Sequence, residues 1–232
     1  MAAIQVIDLS FQYPDSGEMI FSHVSFTLDT DWKLGFIGRN GRGKTTLLRL
    51  LMGDYEYSGR IQAPVGFDYF PYAVSGPERP ARAVLAGVCP DAQEWELERE
   101  LSCLGVPDDA LDRPFSTLSP GEQTKALLAA LFLNEGRFLL IDEPTNHLDT
   151  EARRRVAAYL KRKRGFILVS HDRQFLDGCV DHILALNRAD IEVQSGNYST
   201  WAENFARRQN DEQNRNDRLK KEISTLQKAA RR

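Results

Sequence analysis

The chain has 232 residues, 42% of them hydrophobic, with a net charge of -3. That length allows one large domain or two small ones with a sizeable core. The charge excludes a whole-chain polycation, and no apolar run reaches the roughly 18 residues of a membrane span. In chain order, Ile4–Leu9, Val24–Leu28, Lys33–Ile37, Gly59–Ile61 and Gly66–Phe70 read as strands separated by turns such as Pro14-Asp15-Ser16-Gly17. Between the third and fourth lies Gly38-Arg39-Asn40-Gly41-Arg42-Gly43-Lys44-Thr45, which fits G-x-x-x-x-G-K-[ST] at each fixed position. Its glycines let the backbone curl with its N–H groups turned inward, so that phosphate oxygens can be cradled. Lys44 can reach the β- and γ-phosphates, and the Thr45 hydroxyl can hold Mg²⁺. Thr46–Leu51 reads as a helix whose N-terminus faces those phosphates.

Six prolines (Pro71, Pro77, Pro80, Pro90, Pro107 and Pro114) divide the next stretch, which reads as a small helical insertion with helices at Ala81–Val88 and Ala92–Leu104. After it, Glu122–Asn134 reads as a helix, Phe138–Ile141 as a buried strand, Thr150–Lys161 as a helix and Gly165–Val169 as a second buried strand. A short helix and strands near Asp181–Leu186 and Ile191–Gln194 follow. This alternation predicts an α/β fold with a mainly parallel sheet covered on both faces. From residue 198 the chain is polar and helix-favouring, with Leu219, Ile223, Leu226 and Ala230 at spacings of 4, 3 and 4 forming a narrow apolar seam. From Glu203 onward nine basic and five acidic residues leave the tail at +4 and the rest at -7. The chain stops at Arg231-Arg232 without a capping signal, which reads as a boundary inside a longer helix; a solvated terminal helix or tail is the plainer alternative. Cys89, Cys103 and Cys179 have no paired spacing, as expected of reduced thiols in a cytosolic protein, and no signal peptide opens the chain.

Three further stretches carry candidate chemistry. Phe138–Ile141 ends in Asp142-Glu143, at the carboxyl end of a central strand where open α/β sheets bind ligands. Asp142 is placed for Mg²⁺, and Glu143 for polarising an attacking water. Leu118-Ser119-Pro120-Gly121-Glu122-Gln123 enters a helix, so Ser119 and nearby backbone N–H groups can grip phosphate; the same residues also suit a capping box, with Ser119 as N-cap and Glu122 at N3. His171, in Val169-Ser170-His171-Asp172, follows a strand parallel to the one ending at Asp142 and can sense a γ-phosphate. Tyr13 can stack on adenine or serve equally as a core or turn tyrosine.

The order of these motifs, with Leu140-Ile141-Asp142-Glu143-Pro144-Thr145-Asn146-His147-Leu148-Asp149 between the last two, resembles the nucleotide-binding domains of the ATP-binding cassette superfamily over residues 4–195. The resemblance implies a P-loop NTPase cassette with an antiparallel β subdomain, a mainly parallel core sheet, a helical subdomain at about 73–134 and a long C-terminal helix. It implies an ATPase using ATP and Mg²⁺, bounded at 1–197, with 198–232 as the start of a helical interdomain linker. The implied nucleotide contacts are Tyr13 (on adenine), Gly38, Asn40, Gly41, Gly43, Lys44, Thr45, Thr46, Ser119, Gly121 and Glu122. Thr45 and Asp142 would hold the metal, Glu143 would be the catalytic carboxylate and His171 the switch histidine. The Ser119–Gln123 motif would act in trans, and Asp149 would be the D-loop acid at a dimer seam.

Asn146-His147, and Gly196-Asn197-Tyr198-Ser199 leading into a charged helix, resemble the soluble ABC-F subgroup, whose members join two cassettes by a helical hairpin and bind ribosomes. Residues 119–125 and 131–135 look closest to its antibiotic-resistance ribosomal protection proteins. The implied partners are a second cassette, in the same full-length chain or as a homodimer, and ribosomal RNA through the linker; the implied setting is cytoplasmic, without membrane insertion. The alternatives are the ATPase subunit of a membrane transporter and a nucleotide-gated clamp with little hydrolysis. Two departures stand out. Pro120 replaces a glycine and removes one N–H, and Tyr72 stands where the family usually has a glutamine, so water must replace that ligand.

Overall fold

The computed structural model describes residues 2–14, 16–39, 41–187 and 190–230, with side chains described except at 218 and 221–230. Two long strands, β1 (Ala3–Gln12) and β2 (Met19–Asp29), pair antiparallel with Ile4 opposite Leu28 and Val6 opposite Phe26. With β4 (Ser58–Gln62) on the free side of β1 they make a three-stranded sheet. Alternation along both strands puts one face in the core and the other in solvent.

The second sheet has six strands in the order β5 (Gly66–Phe70), β6 (Arg137–Asp142), β7 (Phe166–Val169), β3 (Lys33–Gly38), β8 (His182–Leu186) and β9 (Ile191–Ser195). The first five are mutually parallel, and β9 returns antiparallel to β8. Strands β6 and β7 are apolar almost throughout because both faces are covered. Phe138, Leu140, Ile167 and Val169 point toward helix α1 (Lys44–Met52) and the antiparallel sheet. Leu139, Ile141, Phe166 and Leu168 point the opposite way, toward α4 (Pro120–Leu131), α5 (Thr150–Arg162) and α6 (Arg173–Cys179). The period-2 strand thus joins two cores through one backbone.

The insertion after β5 contains α2 (Ala81–Val88), α3 (Glu94–Leu104) and two short 3-10 turns. Helix α3 starts two residues later than the sequence suggests, because Gln93 and Glu96 form its capping box while the Ala92 N–H bonds the Cys89 carbonyl. Helix α4 starts at Pro120 and ends before Asn134, whose amide leaves the helical path to donate to Asp68 Oδ2 at 2.8 Å and the Val88 carbonyl at 3.0 Å. Glu100 on α3 is buried beside Tyr159 and Lys163 of the α5 end, accepting from Tyr159 at 2.6 Å and pairing closely with Lys163.

The C-terminal helix α7 (Tyr198–Ala230) is capped by Asn197, whose Oδ1 accepts from the Thr200 N–H at 3.0 Å. Arg208 meets Glu192 of β9 at 2.6 Å, and Tyr198 and Trp201 pack on the core. Leu219, first of the seam, is exposed; the side chains of Ile223, Leu226 and Ala230 lie outside those described.

Candidate nucleotide site

The loop between β3 and α1 is shaped by its glycines. Gly41 and Gly43 have φ of 73° and 101°, a region L side chains rarely enter. At Gly43 space is also missing, since a Cβ there would lie 2.5 Å from Ile20 Cγ2 and 3.1 Å from Phe21 Cζ. Gly43 caps α1 with no side-chain acceptor, leaving the first N–H groups of the helix for a ligand. Lys44 folds back to donate to the Gly38 carbonyl at 2.9 Å. Burial pushes its ammonium down from the usual lysine range, against the opposing pull of Glu143 and Asp142. Asn40 lies outside the described residues.

Asp142 and Glu143 emerge from the end of β6, next to β3 across β7. The Thr45 hydroxyl donates to Asp142 Oδ2 at 2.7 Å, although the two residues are far apart in sequence. Tyr69 on β5 donates to the same oxygen at 3.1 Å. Its phenol is pushed up to about 12, by burial first and then by Asp142, so it stays a donor at neutral pH. Arg49 lies over the Tyr69 ring at 4.3 Å and meets Asp54 at 3.0 Å.

Glu143 holds a φ of 50°, a strained conformation for a non-glycine residue, while its N–H donates to the Val169 carbonyl at 2.9 Å. Its Oε2 accepts from the His171 N–H at 3.4 Å. Its Oε1 is buried and has no hydrogen-bond donor among the described residues; His171 Nε2 stands 3.3 Å away but off the bonding direction. Burial raises the Glu143 carboxyl above the usual range, with His171 the chief opposing charge. A carboxylate with raised basicity at the wall of a cavity is suited to deprotonate a water.

Tyr13, Gly43, Lys44, Thr45, Thr46, Asp142, Glu143 and His171 line one cavity of about 400 Å³. The structure therefore brings the loop, the carboxylate pair, the histidine and Tyr13 together. The Tyr13 hydroxyl shares a hydrogen with Thr46 Oγ1 at 2.8 Å, and its ring meets Phe11 and Tyr55 edge-on. Ser119, Gly121 and Glu122 line neither this cavity nor the next. Within the chain they form the capping box of α4, with Glu122 N donating to Ser119 Oγ at 3.2 Å and Ser119 N donating to Glu122 Oε2 at 2.8 Å. Asp149 likewise caps α5, accepting from the Ala152 N–H at 2.7 Å. A second cavity of about 390 Å³ shares Asp142 and Glu143 and is lined by Tyr72, Pro120, Gln123 and His147. Glu143 thus stands between the loop cavity and the α4 entrance. A third, of about 470 Å³, borders the other flank of the loop, touching Gly38, Arg39, Arg42 and α7.

The residues fit a divalent cation. Thr45 Oγ1 and Asp142 Oδ2 are hard oxygen donors 2.7 Å apart at the head of the cavity. Among the described residues no cluster of three His, Cys, Asp or Glu side chains could hold a metal, so Thr45 and Asp142 would supply only part of its coordination shell. Tyr69 was not singled out from sequence. The available signal was its strand register, opposite Leu140 and so two positions below Asp142 on the neighbouring strand.

A family model described as ABC transporter matches residues 21–146. ABC transporter F family member 3 of Arabidopsis thaliana is 31% identical over 205 residues, covering 85% of this chain and 28% of that protein. Energy-dependent translational throttle protein EttA of Escherichia coli K12 is 30% identical over 231 residues, covering 79% of this chain and 41% of that protein. The chain thus spans well under half the length of these curated relatives. A bacterial Atm1-family ABC exporter solved with ATP bound superposes with a TM-score of 0.72 at 20% identity, over 89% of this chain and 42% of that one, a likeness of fold alone. No helix among the described residues is long and apolar enough to cross a membrane.

Proposed function

Because the chain belongs to the ABC transporter family of ATP-binding cassettes, we propose that it is the first cassette of an ABC-F-type ATPase that works on the ribosome. The observation that carries the catalytic half is the convergence of Lys44, Thr45, Asp142 and Glu143 on one cavity. The β- and γ-phosphates of ATP are held by the loop N–H groups and Lys44, and the adenine lies against Tyr13. Thr45 and Asp142 hold Mg²⁺, which supplies charge neutralisation to the phosphates when bound. Glu143 accepts the proton of the attacking water, and His171 keeps that carboxylate oriented. Ser119, Gly121 and Glu122 of one cassette close over the nucleotide of another, so turnover depends on a second cassette. Residues 198–232 begin the linker between the two.

Similarity to an energy-dependent translational throttle protein and to F-family members, Asn146-His147 in the motif after Glu143, and a helix α7 running on from the cassette support the ribosomal reading. The narrower role we propose is ribosomal protection against antibiotics in the cytoplasm, on the likeness of residues 119–125 and 131–135. The test is sedimentation with ribosomes of the full-length Glu143→Gln protein, with and without a non-hydrolysable ATP analogue. Nucleotide-dependent co-sedimentation is expected. Its absence, together with copurification with membranes, points instead to a transporter subunit.

A further inference from the structure

The cavity of about 470 Å³ beside the phosphate loop is unlike the nucleotide cavity in its chemistry. Its walls include Arg39, Arg42 and Arg173 on the cassette, and Tyr198, Trp201 and Phe205 on α7. Among the described residues no Asp or Glu lines it. Among the described residues none of the three arginines has an acidic partner. Arg39 and Arg173 are exposed and Arg42 is half-buried, so water screens them, but an anion entering the cavity would gain three guanidinium partners. The aromatic wall is organised. Trp201 and Phe205 stack with centroids 5.0 Å apart and planes 17° apart, and the Arg173 guanidinium lies over the Tyr198 ring at 5.6 Å. The Trp201 indole N–H is buried and has no acceptor among the described residues, although such groups usually find one.

An aromatic anchor for α7 would explain the stack alone. It would not explain a void of ligand size and three guanidiniums without acidic partners at the same place.

We propose that this cavity is a second binding site, for a nucleoside phosphate. The phosphate is held by Arg39, Arg42 and Arg173, whose planar forks suit its oxygens. The base lies against the aromatic residues of α7, which tolerate any base because each has a π-face. Two sources share this chemistry, a free nucleotide and a strand of RNA. Because Lys44 and His171 line both this cavity and the ATP cavity, occupancy of one site bears on affinity at the other.

The experiment uses the full-length protein with its phosphate loops saturated by a non-hydrolysable ATP analogue and Mg²⁺. AMP and a short oligouridine are titrated separately by calorimetry, against wild type and the Arg42→Gln, Arg173→Gln and Trp201→Phe variants, each first checked for an unchanged melting curve. Binding of AMP on top of the saturating analogue is expected, with the dissociation constant raised about tenfold by either arginine change and less by Trp201→Phe. Binding of the oligonucleotide but not AMP, with the same dependence, assigns the site to an RNA strand. Binding of neither overturns the proposal, as does binding that the arginine changes leave unaltered, or AMP binding that disappears when the analogue is present.

Discussion

Replacing Gly43 by alanine should destabilise the chain more than the same change at Gly41, and the structure gives the reason. Both glycines sit at positive φ, where a Cβ costs about 1–2 kcal/mol. At Gly41 nothing lies within 4 Å of the added carbon, so that is the whole cost. At Gly43 the carbon meets Ile20 Cγ2 at 2.5 Å, and such overpacking adds about 1–3 kcal/mol. For a chain of this size 1 kcal/mol moves the melting temperature by about 2–4 °C. Gly41→Ala should therefore lower it by about 2–8 °C and Gly43→Ala by about 4–20 °C. Scanning calorimetry reads both. Adding Ile20→Ala to Gly43→Ala should restore most of the steric part, with a coupling of about 1–3 kcal/mol, while leaving Gly41→Ala unrescued. Equal shifts for the two glycines, or no rescue by Ile20→Ala, would refute the reasoning.

Three other outcomes are expected. Glu143→Gln should lower kcat for ATP hydrolysis by about 10²–10⁴-fold in the full-length protein, with nucleotide affinity changed little, as read by steady-state turnover and equilibrium binding; unchanged turnover would favour a clamp. Tyr69→Phe removes one of two donors to Asp142 Oδ2 and should weaken Mg²⁺-dependent ATP binding about two- to tenfold without changing metal-free nucleotide binding, since a net hydrogen bond is worth about 0.5–1.5 kcal/mol. Glu100 gives a pH dependence. Burial alone would raise its carboxyl, but hydrogen bonds from Lys163 and Tyr159 and the Lys163 charge outweigh this and hold it below the usual range. The folded state thus favours the ionised form. The added stability is present above the unfolded value of about 4.3 and is lost as pH falls below it. Denaturant melts of wild type and Glu100→Gln should differ most at neutral pH and converge in acid; a constant gap would contradict this.

How far the sequence could be read depended on what each residue answers to. Strands β5 to β7 and helices α1, α2 and α5 follow from hydrophobic period and flanking turns, which are local, and their extents match to within two residues. The loop and Asp142-Glu143 were legible because phosphate and metal chemistry demand particular residues at fixed spacing. The end of α4 was not, because Asn134 is drawn away by Asp68 and Val88, residues far along the chain. Tyr69 was missed for the same reason: its role exists only through sheet pairing with β6. The Glu100–Tyr159–Lys163 cluster joins residues whose separate contexts look like ordinary helix surface. Ser119 and Glu122 show the reverse case. The capping box that the sequence allows is formed, and a role across a dimer seam would be added to it rather than replace it.

The most direct measurement is calorimetric titration of the chain with Mg·ATP, repeated after Lys44→Ala and again without metal. Saturable heat for the native chain, lost or at least tenfold weaker in Lys44→Ala and reduced when Mg²⁺ is withheld, is the predicted result. Heat that is absent, or that survives the lysine change undiminished, would mean that the loop does not hold a nucleotide.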